Sequence, residues 1–351
     1  MAKKGESLVT KLIKSVLNLV DKVAENVGQS VGQTTGLGRN LPTLSSDPPG
    51  SVKPVHPRVL LIVYNPTVPS EGGRKLVDVL KWNNPDKLVE DYIADLKDAS
   101  YGYCNYRIVE RIEVDLFPVK ADGFAYTGDS FVSAWRARTG FHQPDWVDYD
   151  RIMQDFNLVE RVNNDQIDEV WLFAFPYGGF YESRMTGPDS FWCNAPPLEG
   201  YNQAKKRFII MGFNYERQVG QMLEAHGHRC ESIMDYTYRR KKGDENLWKL
   251  FTRYDKIHPG RSEVGIVHYA PNSTTDYDWG NKTMVMSRCD NWLNFPDLSG
   301  PPRQVDCNEW GLGDTRLHHL WWFKRFPHIA GIKDGISTNW WEYVTDPNQV
   351  R

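Results

Sequence analysis

Two glutamates, Glu182 and Glu216, each follow an apolar run and stand one or two residues from an arginine, Arg184 and Arg217. Carboxylates held in unequal environments divide acid from base or nucleophile work. The pair is therefore predicted to form the catalytic core of a hydrolase, with His268 assisting. At a separation of about 5–5.5 Å or about 6.5–9.5 Å, such a pair would suit retaining or inverting glycoside hydrolysis respectively. Asn65, Tyr177, Tyr181, Asn214, Tyr215 and Asn272 complete the predicted substrate-binding set, in which Arg184 and Arg217 hold anionic groups or simply neutralise the glutamates. Aromatic faces suit sugar rings and peptide side chains, so the expected substrate is polymeric: glycan, peptide or cell-envelope material.

His268 ends an apolar run and precedes a polar loop containing Asn272, Asp276 and Asp278. It is expected to be a base, an acid or a metal ligand, with a satisfied core histidine as the alternative. Glu224, His228 and Glu231 recur at i, i+4 and i+7, a spacing that can supply metal ligands but that any solvated helix face also displays. A metal-dependent hydrolase, using His268 with Asp276 or Asp278 or using the Glu224 and His228 face, is thus the second enzymatic reading. The sequence requires no cofactor, and a divalent metal is the one its residues could hold. Asp276-Tyr277-Asp278 lacks the glycine and terminal glutamate of an EF-hand. His318, His319 and His328, around Trp321-Trp322, are expected to be core residues. There is no Walker A sequence, GxSxG elbow, strand-linked GxGxxG or kinase signature.

These residues need a scaffold that brings strand ends together. Continuous apolar runs at Arg58–Tyr64, Glu169–Phe175, Arg207–Phe213 and Glu263–His268 read as buried parallel strands. Tyr106, Ile108, Ile112 and Val114 alternate with polar residues, as in a strand with one wet face. Helices are predicted over 86–98, capped by Asn84 with Pro85 in the first turn, and over 148–162, 214–234 and 244–257. Within the third, Glu216 falls in the first turn and His226 faces inward, while Gly227 could break the helix. The fold class is α/β: a mixed, mainly parallel sheet flanked by helices, with ligands expected beyond the strand carboxyl ends. Residues 56–351 form one large domain whose last ~80 residues are irregular and Trp-rich.

The chain of 351 residues carries 13 Trp, 17 Tyr and 15 Phe, ample material for a packed core. Its net charge of −3 argues against a nucleic-acid partner, and no apolar run is long enough to span a membrane, so a soluble protein is expected. Residues 1–30 read differently. Leu8, Leu12, Ile13, Val16, Val20, Val23 and Val27 define an amphipathic helix, followed by a Gly-, Ser-, Thr- and Pro-rich linker over 31–55. Such a helix docks on the body, on a protein partner or on a membrane surface. A non-catalytic binding, assembly or cargo protein recruited through it is the third reading. Interruption by Lys11, Lys14, Asn18 and Asp21 excludes a secretory h-region, so cytoplasmic synthesis with non-classical delivery is expected. The five cysteines show no CxxC spacing, and Asn272 and Asn281 match glycosylation acceptors.

Overall fold

The computed structural model describes residues 52–351. The predicted amphipathic helix and most of the predicted linker lie outside the described residues. Five strands form the central sheet: β1 (Arg58–Tyr64), β2 (Arg107–Val114), β3 (Glu169–Ala174), β4 (Ser183–Thr186) and β5 (Phe208–Asn214). Their order is β2-β1-β3-β5-β4, parallel throughout except for the antiparallel edge strand β4. This is a mixed, mostly parallel sheet with helices, as an α/β chain should give. β1 and β3 are apolar along their length because helices and loops cover both faces, whereas edge strand β2 keeps Arg107, Glu110, Arg111 and Glu113 toward water, which discourages edge-to-edge pairing.

Four helices matter for the site: α1 (Pro85–Ala99), α2 (Val219–Tyr238), α3 (Thr315–Phe323) and α4 (Trp340–Thr345). Asn84 caps α1 by accepting from the backbone N–H groups of Asp86 and Lys87 at 2.9 and 3.1 Å, with Pro85 at the first position. Tyr92 then reaches the sheet, its ring 5.1 Å from Trp171 and 5.2 Å from Phe213, and its hydroxyl pairs with His226 Nδ1 at 2.8 Å. His226 is therefore a core residue that ties α1 to α2.

The structure departs from the sequence expectations at several elements. Residues 148–162 form two short helices, Tyr149–Asp155 and Leu158–Asn163, because Asn157 between them adopts φ 49°. α2 begins at Val219, so Glu216 precedes the helix rather than lying in its first turn, and α2 continues unbroken through Gly227 to Tyr238. The pattern over 244–257 contracts to Gly243–Glu245 and Leu247–Phe251. Glu263–His268 is no strand. It is an irregular segment held by isolated bridges, Ser262 to Ser287 and Ile266 to Tyr269, and its apolar residues Val264 and Val267 are buried outside any sheet, Val267 against Gly227 of α2. The edge strand β4 follows too soon after β3 to show in an apolar pattern. The C-terminal tryptophans are packing residues: Trp292, Trp310, Trp322, Trp340 and Trp341 are all at most 1% exposed. All five cysteines are buried free thiols.

The rotation of α2 is set by one ion pair. Arg229, fully buried, donates to Glu169 Oε1 at 2.5 Å and to the Val344 carbonyl at 2.6 Å, while Trp171 Nε1 donates to the same carboxylate oxygen at 2.8 Å. It ties α2 to the start of β3 and to α4. Burying two charges gains little over apolar packing, but removing one partner strands the other. Arg229→Ala should cost about 3–5 kcal/mol in a urea titration, and Glu169→Ala a similar amount; a loss below about 1 kcal/mol in both would show that the pair does not brace the sheet.

Candidate functional site

On α2, Gln221, Glu224, His228 and Glu231 fall on one face, since residues three and four apart lie one above the other. The face is turned by Arg229 toward the irregular segment that ends in His268. Two features bring that segment close. Gly227 has no side chain, and a Cβ there would come within 2.5 Å of Val267 Cγ2. Glu231 clamps it, accepting from the Val267 backbone N–H at 2.8 Å and from His228 Nδ1 at 3.1 Å with its other oxygen.

The result is a convergence of ligand-type atoms. His228 Nε2 and His268 Nε2 are 3.0 Å apart, and His268 Nε2 lies 3.1 Å from Glu224 Oε1. One atom each of Glu224, His228 and His268 falls within 4.8 Å of the others. The outer nitrogens decide the tautomers. His228 Nδ1 faces Glu231 and His268 Nδ1 faces Asp276 Oδ1 at 3.0 Å. An ionised carboxylate only accepts, so both Nδ1 atoms carry hydrogen; Glu224 likewise only accepts, so without an ion His268 Nε2 also carries a hydrogen, donated to Glu224, while His228 Nε2 keeps a lone pair facing it. Three lone-pair donors at this range repel unless a proton or a cation sits among them. Carboxylates behind the imidazoles are also the outer partners that orient histidine ligands. An ion about 2.0–2.1 Å from each donor spaces tetrahedral ligand atoms about 3.3 Å apart, so the two separations at His268 Nε2 would need to widen by only a few tenths of an ångström.

Electrostatics follow the same geometry. Burial pulls the imidazoles of His228 and His268 toward the neutral form, but the Glu231 hydrogen bond for the first and the Glu224 hydrogen bond for the second outweigh it, so both hold a proton above their ordinary range. The charge of His228 opposes protonation of His268, while Asp276 and Glu224 favour it. Glu224 is opposed by burial but held ionised by its hydrogen bond with His268. The Tyr277 hydroxyl lies against Glu224, and burial together with that charge pushes it up to about 12.

Beside the cluster, a cavity of about 390 Å³ opens beyond the carboxyl ends of β3 and β5. Tyr177, Tyr181, Glu182, Asn214 and Arg217 line it, with Gln221 and Ala225 of α2 on one wall. Glu182 connects the two features: it lines the cavity, Asn194 Nδ2 holds its Oε2 at 2.7 Å, and its charge is felt by both His228 and Tyr277. No family model, curated protein or solved structure matches this chain. The functional reading therefore rests on the site itself.

The other sequence candidates are placed elsewhere. The Glu216 carboxylate has no hydrogen-bond or ion-pair partner among the described residues and does not join Glu182 or His268 in the cluster; its backbone N–H donates to Asn214 Oδ1. Tyr215 is fully buried and donates its hydroxyl to the Tyr64 carbonyl, bracing strand ends rather than facing a ligand. Asn65 is buried and accepts from the Val77 N–H. Asn272 is buried, its amide donating to the Asn281 and Thr283 carbonyls, which also removes it as a glycosylation acceptor. Arg184 stacks on Tyr149 and donates to the Pro196 carbonyl. Asp278 ties its own loop through Thr274 and Asn281, whereas Asp276 backs His268. Glu231 was visible as the i+7 member of the helix face; Tyr277 and the role of Gly227 carried no separable signal.

Two outcomes test this geometry. Without metal, the raised imidazoles stabilise the fold fully below their ordinary 6.5 and lose that contribution as pH rises through the folded values, while lowered Glu224 stabilises above its ordinary 4.5 and loses it on acidification. The cluster's share of stability, read from urea midpoints across pH, should peak between those values, and its alkaline decline should flatten when Glu231→Gln and Asp276→Asn are combined. Gly227→Ala should cost about 1–3 kcal/mol despite the better helix propensity of alanine, because Val267 is β-branched and packed; Val267→Ala in the same chain should recover part of the loss, and strict additivity of the two would contradict the close approach.

Proposed function

We propose that this chain is a metal-dependent hydrolase whose divalent ion is held by Glu224, His228 and His268, beside the cleft at the carboxyl ends of β3 and β5. One observation carries the reading. Two imidazole Nε2 atoms and a carboxylate oxygen converge, His268 Nε2 lying 3.0 Å from His228 Nε2 and 3.1 Å from Glu224 Oε1, with each imidazole backed by its own carboxylate. Two histidines and a glutamate are a ligand set of catalytic zinc, which keeps its fourth position for water. A bound divalent ion of this kind supplies a hydroxide at neutral pH and polarises a carbonyl or phosphoryl oxygen.

The chain's own residues supply the remainder. Glu182, steered by Asn194 and facing both the cleft and the His228 side of the cluster, is placed to take a proton from the attacking water and return it to the leaving group. Tyr277, whose phenol stays neutral, can donate a hydrogen bond to a developing oxyanion. Arg217, exposed and lining the cleft, offers a cation to an anionic substrate group. Trp146 and Tyr177 give the same cleft aromatic walls, which favours an extended peptide or glycan over a compact metabolite. The paired-carboxylate reading finds less support, since Glu216 stands apart from the cluster.

Titration of the metal-free chain with Zn²⁺, Co²⁺ or Mn²⁺ should show one site, and an ion at a hundred times its Kd should stabilise the fold by about 2.7 kcal/mol. His228→Ala and His268→Ala should each abolish that stabilisation. Glu182→Gln should leave metal affinity within a few-fold and lower turnover of ester, peptide or glycoside probes by about 10²–10⁴-fold. A wild-type chain that takes up none of these ions sinks the reading.

A further inference from the structure

His319 and its neighbours hold a group of buried polar atoms that packing does not explain. His319 is fully buried and its Nε2 has no hydrogen-bond partner among the described residues; the same is true of both ring nitrogens of His318 and of Trp279 Nε1 and Trp321 Nε1. Buried nitrogens of this kind are normally paired, and an orphan calls for a ligand or water. The rings are contiguous: Trp279 lies 4.9 Å from His318 and 5.2 Å from His319, and Tyr277, whose ring is tilted against His268 at 4.3 Å, is 5.3 Å from Trp279. The group thus adjoins the metal-ligand cluster.

The packing of α3 on α2 places His319 within it. A Cβ at Gly220 would come within 3.1 Å of Thr315 Cβ, and the rings of His226 and Phe323 are 5.6 Å apart, so the two helices run side by side in the same direction. Glu224 is one turn beyond Gly220 and His319 is one turn beyond Thr315, which sets them level with each other. The tautomer of His319 is also fixed. Its Nδ1 faces the Thr315 carbonyl at 2.6 Å, and a carbonyl only accepts, so Nδ1 carries the hydrogen and Nε2 a bare lone pair. This repeats the arrangement at His228, with a carbonyl in place of a carboxylate. Yet His319 is not among the three residues whose ligand atoms lie within 4.8 Å of one another. A lone pair just beyond the ligand set is suited to the hydrogen of a water on the ion, not to the ion.

We propose that His319 is a positioning residue that accepts, at Nε2, a hydrogen bond from the water in the fourth coordination position of the ion held by Glu224, His228 and His268. The inference rests on the metal reading above. Burial keeps the His319 imidazole neutral, so it orients the water without competing for its proton. With one hydrogen of that water held by His319, the other is left to Glu182 on the cleft side.

The test compares wild type, His319→Gln and His319→Leu, each freed of metal and titrated with Co²⁺, whose visible spectrum reports coordination. His319→Leu should bind Co²⁺ about 10–100-fold more weakly, as loss of an outer partner does, with an altered spectrum. His319→Gln keeps an acceptor and should restore most of the affinity and the wild-type band shape, a rescue that a merely space-filling role would not give. In the wild type, the ¹⁵N resonance of His319 Nε2 should move from that of a free lone pair to that of a hydrogen-bonded one when Zn²⁺ is added, a readout that needs no variant to fold. Unchanged affinity and spectrum in His319→Leu would overturn the proposal while leaving the three-residue site intact, and a His319 Nε2 resonance typical of direct metal ligation would overturn it as well. Failure of the wild type to bind Co²⁺ or Zn²⁺ would overturn the parent reading and this one together.

Discussion

The buried pair between Arg229 and Glu169 is the constraint on which the rest of the molecule depends. A guanidinium with no exposed surface cannot tolerate a change in the rotation of its helix, because its hydrogen bonds to the β3 carboxylate and to the Val344 carbonyl would break together. Fixing Arg229 fixes α2 about its own axis. The face bearing Glu224, His228 and Glu231 must then look away from the sheet, toward the irregular segment that carries His268. One side of the helix is thus spent on the fold so that the other can hold chemistry.

That segment is held in place by contacts, with little regular structure of its own. Gly227 admits Val267, Glu231 holds the Val267 N–H, and Gly265, at φ 89°, turns the chain where a Cβ would strike the Tyr269 carbonyl oxygen at 2.1 Å. Trp322 Nε1 donates to the Gly265 carbonyl from α3. The crowd of C-terminal tryptophans serves this purpose: each supplies a large buried surface, and Trp292, Trp310 and Trp322 each place an indole N–H on a specific acceptor, so loops with few backbone ladders are still held rigidly. A site built on loops is only as exact as that support.

Much of the scaffold was legible in the sequence. The apolar runs at Arg58–Tyr64 and Glu169–Phe175, the alternation around Ile108 and Ile112, and the Asn84-Pro85 start of α1 all report local constraints, namely burial on both faces, burial on one face, and an unsatisfied helix end. Glu263–His268 was misread because a short apolar run records burial and not the partner that causes it. Here the partners are two helices. The site was legible in pieces: Glu224, His228, Glu231 and His268 each stood out by type, spacing or position. What no local pattern records is that Gly227 lets residues forty positions apart meet, nor that Glu216, three residues short of the helix, would fall outside the cluster.

The histidines around Trp321-Trp322 show the same limit from the other side. By sequence they are core residues, and the structure buries His318 and His319, while His328 is half-buried and stacked on Tyr101 at 3.9 Å. Two buried histidines that each keep an unpaired nitrogen can still differ in what lies beside it. His226 spends Nδ1 on Tyr92 and sits between the rings of Phe323 and Trp341, remote from any cleft. His319 spends Nδ1 on its own helix and keeps Nε2 level with Glu224. Both are equally buried and both carry an orphaned nitrogen, so burial alone does not separate them. What separates them is the neighbour on the next helix: an aromatic face for one, an ionised carboxylate for the other. A carboxylate that is kept ionised under cover needs cations or donors around it, and Glu224 has His268 and Tyr277 beside it. A divalent ion fits this surrounding because it satisfies, in one step, a buried anion and the imidazole nitrogens beside it.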